Sequence, residues 1–284
     1  MSLQVENWYK ERYLSKVTYK YKNGGFLLKP TVTPPAEMDG KKLYFPVSLP
    51  GQATKTKRGD KVKRMNSGKE MKEVTAEIWE AAEMVYKFDI NKTSATEMET
   101  NTKNASDALG QAHDGIIMGV VHAGAGNYGT IVGANNAAWD LAKALTAETA
   151  LRQRCQNPRE MAYCTLPLRA FQQMMTFDQF NNSQYTGDYP LAQGIMAKTW
   201  GRTHYIQGYD EMFKSTGGTG LSFYYWFPQA IGSGDTGGIK TDINYIPDER
   251  GWLHDNTMEA GASVLLPEAI QECKFDNASA IAFA

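Results

Sequence analysis

The chain has 284 residues, 42% hydrophobic and 21% charged, with a formal net charge of −1. That length holds one large domain or two modest ones, and the composition excludes a wholly disordered chain. No apolar run approaches the ~20 residues of a membrane-spanning helix, and the opening residues lack the basic-then-apolar pattern of a secretion signal, so a soluble protein made in the cytosol is expected.

Residues 1–38 alternate aromatic and basic side chains, among them Trp8, Tyr9, Arg12 and Tyr13, and are punctuated by Gly24-Gly25 and Pro34-Pro35. This pattern suits an arm lying across other surfaces rather than a compact core. Residues 39–80 read as a long two-stranded excursion. The first strand, 42–49, places Leu43, Phe45 and Val47 on one face and ends at Pro50-Gly51. A basic tip follows, carrying Lys55, Lys57, Arg58, Lys61, Lys63 and Arg64. It has few apolar side chains, so alone it cannot offset its ordering entropy. The return run, 71–79, leads to a further strand at 84–89.

One long helix is predicted over 94–121, capped by Asn91 or Ser94, with Met98, Ala105, Leu109, Ala112, Ile116 and Val120 as its apolar stripe. Gly110, Gly115 and Gly119 lower its propensity and point to a kink or close packing. A second helix is expected from Asn135 or Asn136 to about 154, then a short strand at 161–164. Pro167 is placed at the first position of a helix over 168–175. From Gly194 onward the pattern is mostly β, with strands near 195–200, 203–207, 221–227, 240–245, 262–266 and 270–275 and Gly-rich breaks at 216–220 and 232–238.

Chemistry-bearing motifs are sparse. Gly124-Ala125-Gly126-Asn127-Tyr128-Gly129 matches GxGxxG. A dinucleotide site, however, needs a strand before the glycines and a helix starting at them. Here a helical stripe precedes them, so a turn between two helices fits better. None of the four histidines has metal-motif spacing, and Cys155, Cys164 and Cys273 form no CxxC pair. No cofactor, metal or catalytic residue is therefore assigned, and a non-enzymatic protein is expected.

The small net charge conceals a split. Residues 1–72 hold 16 Lys and Arg against 6 Asp and Glu, a net of +10, and the remainder carries −11. Such a chain is suited to bind copies of itself, basic front to acidic body. Nucleic acid is the other partner for a basic segment, but this tip has no interleaved aromatics to stack on bases.

The order of elements resembles the major capsid protein of tailed bacteriophages, an α+β chain of the Hong Kong 97-type fold. The likeness rests on 108–109 to Asp114-Gly115-Ile116-Ile117 at the end of a spine helix, and on 138–145 with Asn157-Pro158-Arg159 to Thr165-Leu166-Pro167. It continues through 194–201, 226–231 and 261–270. The resemblance implies an N-terminal arm (1–38), an extended loop (39–80), a peripheral domain (81–127 and 221–284) and an axial domain (128–220). It implies self-assembly into hexamers and pentamers of an icosahedral head shell, made in the host bacterial cytoplasm and enclosing double-stranded DNA without sequence specificity. Scaffolding, portal and decoration proteins are implied as further partners, with scaffolding expected to be a separate protein, and no membrane. The residues expected at subunit contacts are Lys55, Lys57, Arg58, Lys61, Lys63 and Arg64 in the loop and Trp8, Tyr9, Arg12 and Tyr13 in the arm. The alternatives are an encapsulin-type compartment shell and, from another class, a nucleotide-binding enzyme using Gly124 to Gly129.

Overall fold

A computed structural model describes residues 25–48, 51, 53–59, 61–62, 64–65, 67–86, 96–155, 159–178 and 197–279. These residues fall into two compact units. The first contains residues up to 30, 77–116 and 235–260; the second contains 31–76, 117–234 and 261 onward. Compactness within one chain thus divides the sequence at 30/31, 76/77, 116/117, 234/235 and 260/261.

The first unit is built on β13 (Gly251–Val264), which contributes its residues up to 260. It pairs antiparallel with β4 (Glu77–Tyr86) on one side and β12 (Lys240–Ile246) on the other. Helix α1 (Thr96–Ala123) supplies residues up to 116. Leu109 of α1 packs with Met258 and Ala260 of β13, and Phe26, Ala81, Ile116 and Ile239 close around them.

In the second unit, β1 (Glu37–Asp39), β2 (Lys42–Ser48) and β3 (Lys69–Thr75) form a three-stranded sheet. The alternation in β2 works as the sequence requires: Leu43, Phe45 and Val47 are buried, whereas Lys42, Pro46 and Ser48 are exposed and Tyr44 is half-buried. They pack with Ala76 and Leu265.

The larger sheet of this unit runs β5-β14-β10-β6-β8-β7, with β9 also paired to β10. Its strands are β5 (Val132–Gly133), β6 (Ala162–Leu166), β7 (Ala197–Trp200), β8 (Thr203–Gln207), β9 (Lys214–Gly217), β10 (Gly220–Trp226) and β14 (Ile270–Asp276). The central strand β10 is buried on both faces, which is why Phe223, Tyr224, Tyr225 and Trp226 run together without alternation. Helices α2 (Leu141–Cys155) and α3 (Leu168–Met174) also belong here. Trp139, just before α2, stands edge-on to Phe223, with ring centroids 4.7 Å apart. A short strand, β11 (Ile231–Asp235), joins the later part of β13.

Several sequence expectations shift. Helix α2 begins at Leu141 rather than near 135. Asn135 cannot cap it because its side chain is engaged with Thr216, accepting from Oγ1 at 2.6 Å and donating to the carbonyl at 3.1 Å. Asp140 does the capping instead, its Oδ1 accepting from the Lys143 N–H at 2.8 Å. Pro167 sits just before α3 with extended backbone, not at its first position. Of the expected stripe on α1, Ala105 and Leu109 are buried, but Ala112, Ile116 and Val120 are only half-buried. His113, Asp114, Ile117, Met118 and Val121 take the buried positions. The break at 232–238 holds strand residues up to 235, with the turn only at Gly237-Gly238. The expected caps of α1, Asn91 and Ser94, lie outside the described residues.

Candidate functional site

The hairpin of β2 and β3 pairs in uninterrupted register from Lys42↔Thr75 to Ser48↔Lys69. Its base is held by the apolar cluster around Phe45 and by Lys72, whose Nζ donates to the carbonyls of Val264 (3.0 Å) and Leu265 (2.8 Å). Between the strands lies the basic segment. Lys55, Lys57, Arg58, Lys61 and Arg64 are all exposed; Lys63 lies outside the described residues. Val62 is 92% exposed and Met65 60%. A firmly rooted hairpin therefore carries a connecting segment whose described charged side chains are all exposed to solvent.

A second arrangement fixes residues 26–29, which lie within the segment expected to be the arm. Asp114, fully buried in α1, accepts two backbone hydrogen bonds: Leu27 N–H to Oδ2 and Leu28 N–H to Oδ1, each 3.0 Å. The Phe26 N–H donates to the Gly110 carbonyl at 3.2 Å. Gly25 (φ 65°) and Phe26 (φ 55°) both adopt left-handed backbone, which costs a bulky residue like Phe26 about 1–3 kcal/mol. The Phe26 ring lies against His113, with centroids 5.5 Å apart, and Lys29 Nζ reaches Asp235 at 2.8 Å. Burial holds the Asp114 carboxyl above the ordinary carboxylate range, outweighing the two N–H donors. Sequence reasoning gave Asp114 no such role. The available signal was a carboxylate at a helical position otherwise bound for the core, which is rarely tolerated unless paired. Trp8, Tyr9, Arg12 and Tyr13 lie outside the described residues.

The glycine motif at 124–129 follows the C-terminus of α1. That end is the negative pole of the helix dipole, which repels phosphate, whereas a dinucleotide site uses a helix N-terminus. The Gly126 N–H is already given to Glu272 Oε2 at 3.0 Å, and the Tyr128 hydroxyl donates to the Val121 carbonyl at 2.8 Å. One turn earlier, His122 places Nε2 2.9 Å from the Met212 carbonyl and Nδ1 3.1 Å from the Tyr224 hydroxyl. These bonds make Nε2 the donor and Nδ1 the acceptor, and burial keeps the ring below the ordinary histidine value. Cys164 and Cys273 are buried, and Cys155 is half-buried. Among the described residues no group of three His, Cys, Asp or Glu is placed to hold a metal ion, and no helix is long and apolar enough to cross a membrane.

Comparison with known proteins completes the picture. The family model described as phage capsid protein matches residues 5–277. Among solved structures, the chain is similar to the capsid of cyanophage P-SCSP1u at 14% identity and a TM-score of 0.67, covering 93% of this chain and 92% of that one. It is similar to the capsid of Ralstonia phage GP4 at 10% identity and a TM-score of 0.68, covering 92% and 95%. Mycobacterium phage Che8 matches at 10% identity and a TM-score of 0.63, covering 94% and 96%. No curated protein sequence matches. The likeness extends over almost the full length of each structure, so the fold is the α+β Hong Kong 97-type fold. With the family model covering nearly the whole sequence, the chain belongs to the phage capsid protein family and is a major capsid shell protein.

Proposed function

We propose that this capsid protein assembles with copies of itself into hexamers and pentamers of an icosahedral head enclosing double-stranded DNA, and that the basic loop makes the contact between neighbours. In this reading residues 1–38 form the arm, 39–80 the extended loop, 81–127 and 221–284 the peripheral domain, and 128–220 the axial domain. The observation that carries the loop's role is the exposure of Lys55, Lys57, Arg58, Lys61 and Arg64 on a well-rooted hairpin. Residues 73–284 supply the complementary surplus of carboxylates. Lys63 joins the loop set, and Trp8, Tyr9, Arg12 and Tyr13 the arm set, by sequence position. Docking a basic loop on an acidic neighbour compensates charge between copies, and closed symmetry leaves no free edge.

The test is charge reversal. A chain carrying Lys55→Glu, Lys57→Glu, Lys61→Glu and Lys63→Glu is expected to fold with an unchanged circular dichroism spectrum but to form no shells in negative-stain electron microscopy. Normal shells from that variant would overturn the docking role of the loop.

A further inference from the structure

The glycine turn after α1 borders a cleft of about 260 Å³ within the second unit, on one face of its larger sheet. Gly126, Lys214, Ser222, Tyr224, Glu272 and Lys274 line it. Strand register explains why these residues meet. Lys214 of β9 pairs with Ser222 of β10, and Ser222 pairs with Lys274 of β14, so the three share one row across adjacent strands. Strands lie ~4.8 Å apart, which puts the two lysine backbones roughly 10 Å apart with the small Ser222 between them. The neighbouring row places Tyr224 beside Glu272.

The floor of the cleft is built rather than incidental. Ser222 is 1% exposed and Glu272 4%. Glu272 Oε1 accepts from the Ser222 hydroxyl at 3.1 Å, and Oε2 accepts from the Gly126 N–H at 3.0 Å. The carboxylate is thus satisfied by short-range donors that carry no charge. Lys274 Nζ lies 3.8 Å from Oε1, an ion pair too long to be a hydrogen bond. The Lys214 ammonium has no carboxylate within ion-pair distance among the described residues, and its side chain is exposed. Two ammonium groups therefore flank one buried carboxylate, leaving a local excess of positive charge.

We infer that this cleft binds a phosphate-type oxyanion, held between the ammonium groups of Lys214 and Lys274 above Ser222. A tetrahedral oxyanion presents oxygens in several directions, so two lysines approaching from opposite sides each meet one. A planar carboxylate directs its acceptors into one plane and suits the fork of arginine better. Glu272 keeps the two lysines from repelling each other in the empty site and limits the charge that the ligand must neutralise. The phosphate can be free inorganic phosphate or a phosphodiester of the nucleic acid backbone.

The test uses the full chain titrated with inorganic phosphate at constant ionic strength and followed by calorimetry. Saturable binding is expected, weakened about tenfold or more by Lys214→Gln with Lys274→Gln. The same titration of Lys240→Gln, an exposed lysine on β12, should match the original chain. Glu272→Gln should tighten binding several-fold, because the amide oxygen still accepts from Gly126 and the amide nitrogen still meets Ser222 while the repelling charge is gone. A merely structural role for these residues would not produce effects of opposite sign. Displacement of phosphate by a short DNA duplex would identify the backbone phosphodiester as the ligand; saturable binding without displacement would identify free phosphate. Absence of saturable binding, or equal binding by the double lysine variant, would overturn the site.

Discussion

Asp114 shows how one buried side chain can fix a stretch of backbone more than eighty residues away in sequence. A single carboxylate meets two consecutive backbone N–H groups, one on each oxygen. Asp114→Asn replaces one acceptor with a donor of nearly the same shape, setting an N–H against an N–H. The expected cost is about 1–3 kcal/mol in equilibrium urea unfolding, the penalty for one buried donor left unmade. The pH dependence carries a sign as well. The carboxyl is raised in the folded state, so its contribution is fully present below the ordinary carboxylate value and declines as pH rises through the raised one. Asparagine has no such titration, and the deficit of the variant should therefore be larger near pH 4 than near pH 7. A variant within a few tenths of a kcal/mol of the original chain at both pH values would show that Asp114 does not hold residues 27–28.

The long helix α1 carries three glycines that look alike in sequence and differ in the fold. A Cβ on Gly110 would lie 2.7 Å from the Phe26 ring and 3.0 Å from the Gly25 Cα, whereas at Gly115 and Gly119 it would meet nothing within 4 Å. Alanine at Gly115 or Gly119 should thus stabilise the chain by about 0.5–1 kcal/mol through helix propensity alone. At Gly110 the same gain is opposed by overpacking of about 1–3 kcal/mol, so the net effect should be destabilising. Thermal unfolding of the three variants separates the cases, and a stabilising Gly110→Ala would refute the close approach of residues 25–26. Sequence alone offered kink or close packing at all three positions, because the partner lies more than eighty residues away. The same limit explains which elements could be read. The β2–β3 hairpin was readable because Leu43, Phe45 and Val47 alternate with exposed residues and one turn signal follows. β13 was mostly missed because the buried face of its central stretch carries His254 and Asn256 beside Met258 and Ala260, and buried polar residues erase the period-two signal. Likewise the cleft lysines stand sixty residues apart, and only strand register brings them into one row.

For the whole molecule the governing quantity is the charge split, +10 over residues 1–72 against −11 over the rest. Within one folded chain, the exposed loop lysines and arginines stay in water, where each attraction is weak and strongly screened. In the proposed docking, shell formation repeats one loop contact for every copy, so a modest energy per contact becomes decisive for the assembly. The Debye length shrinks from ~30 Å at 0.01 M to about 10 Å at 0.1 M and roughly 3 Å at 1 M salt. If loop docking drives association, light-scattering measurements at fixed protein concentration should show assembly falling steadily as sodium chloride rises over that range. The variant with reversed charges at Lys55, Lys57, Lys61 and Lys63 supplies the discriminating control, because repulsion replaces attraction and its residual association should rise, not fall, with salt. Hydrophobic contacts respond to salt in that second sense in both chains. Assembly of the original chain that strengthens with salt would therefore assign the dominant contact to apolar surfaces and remove the electrostatic role from the loop.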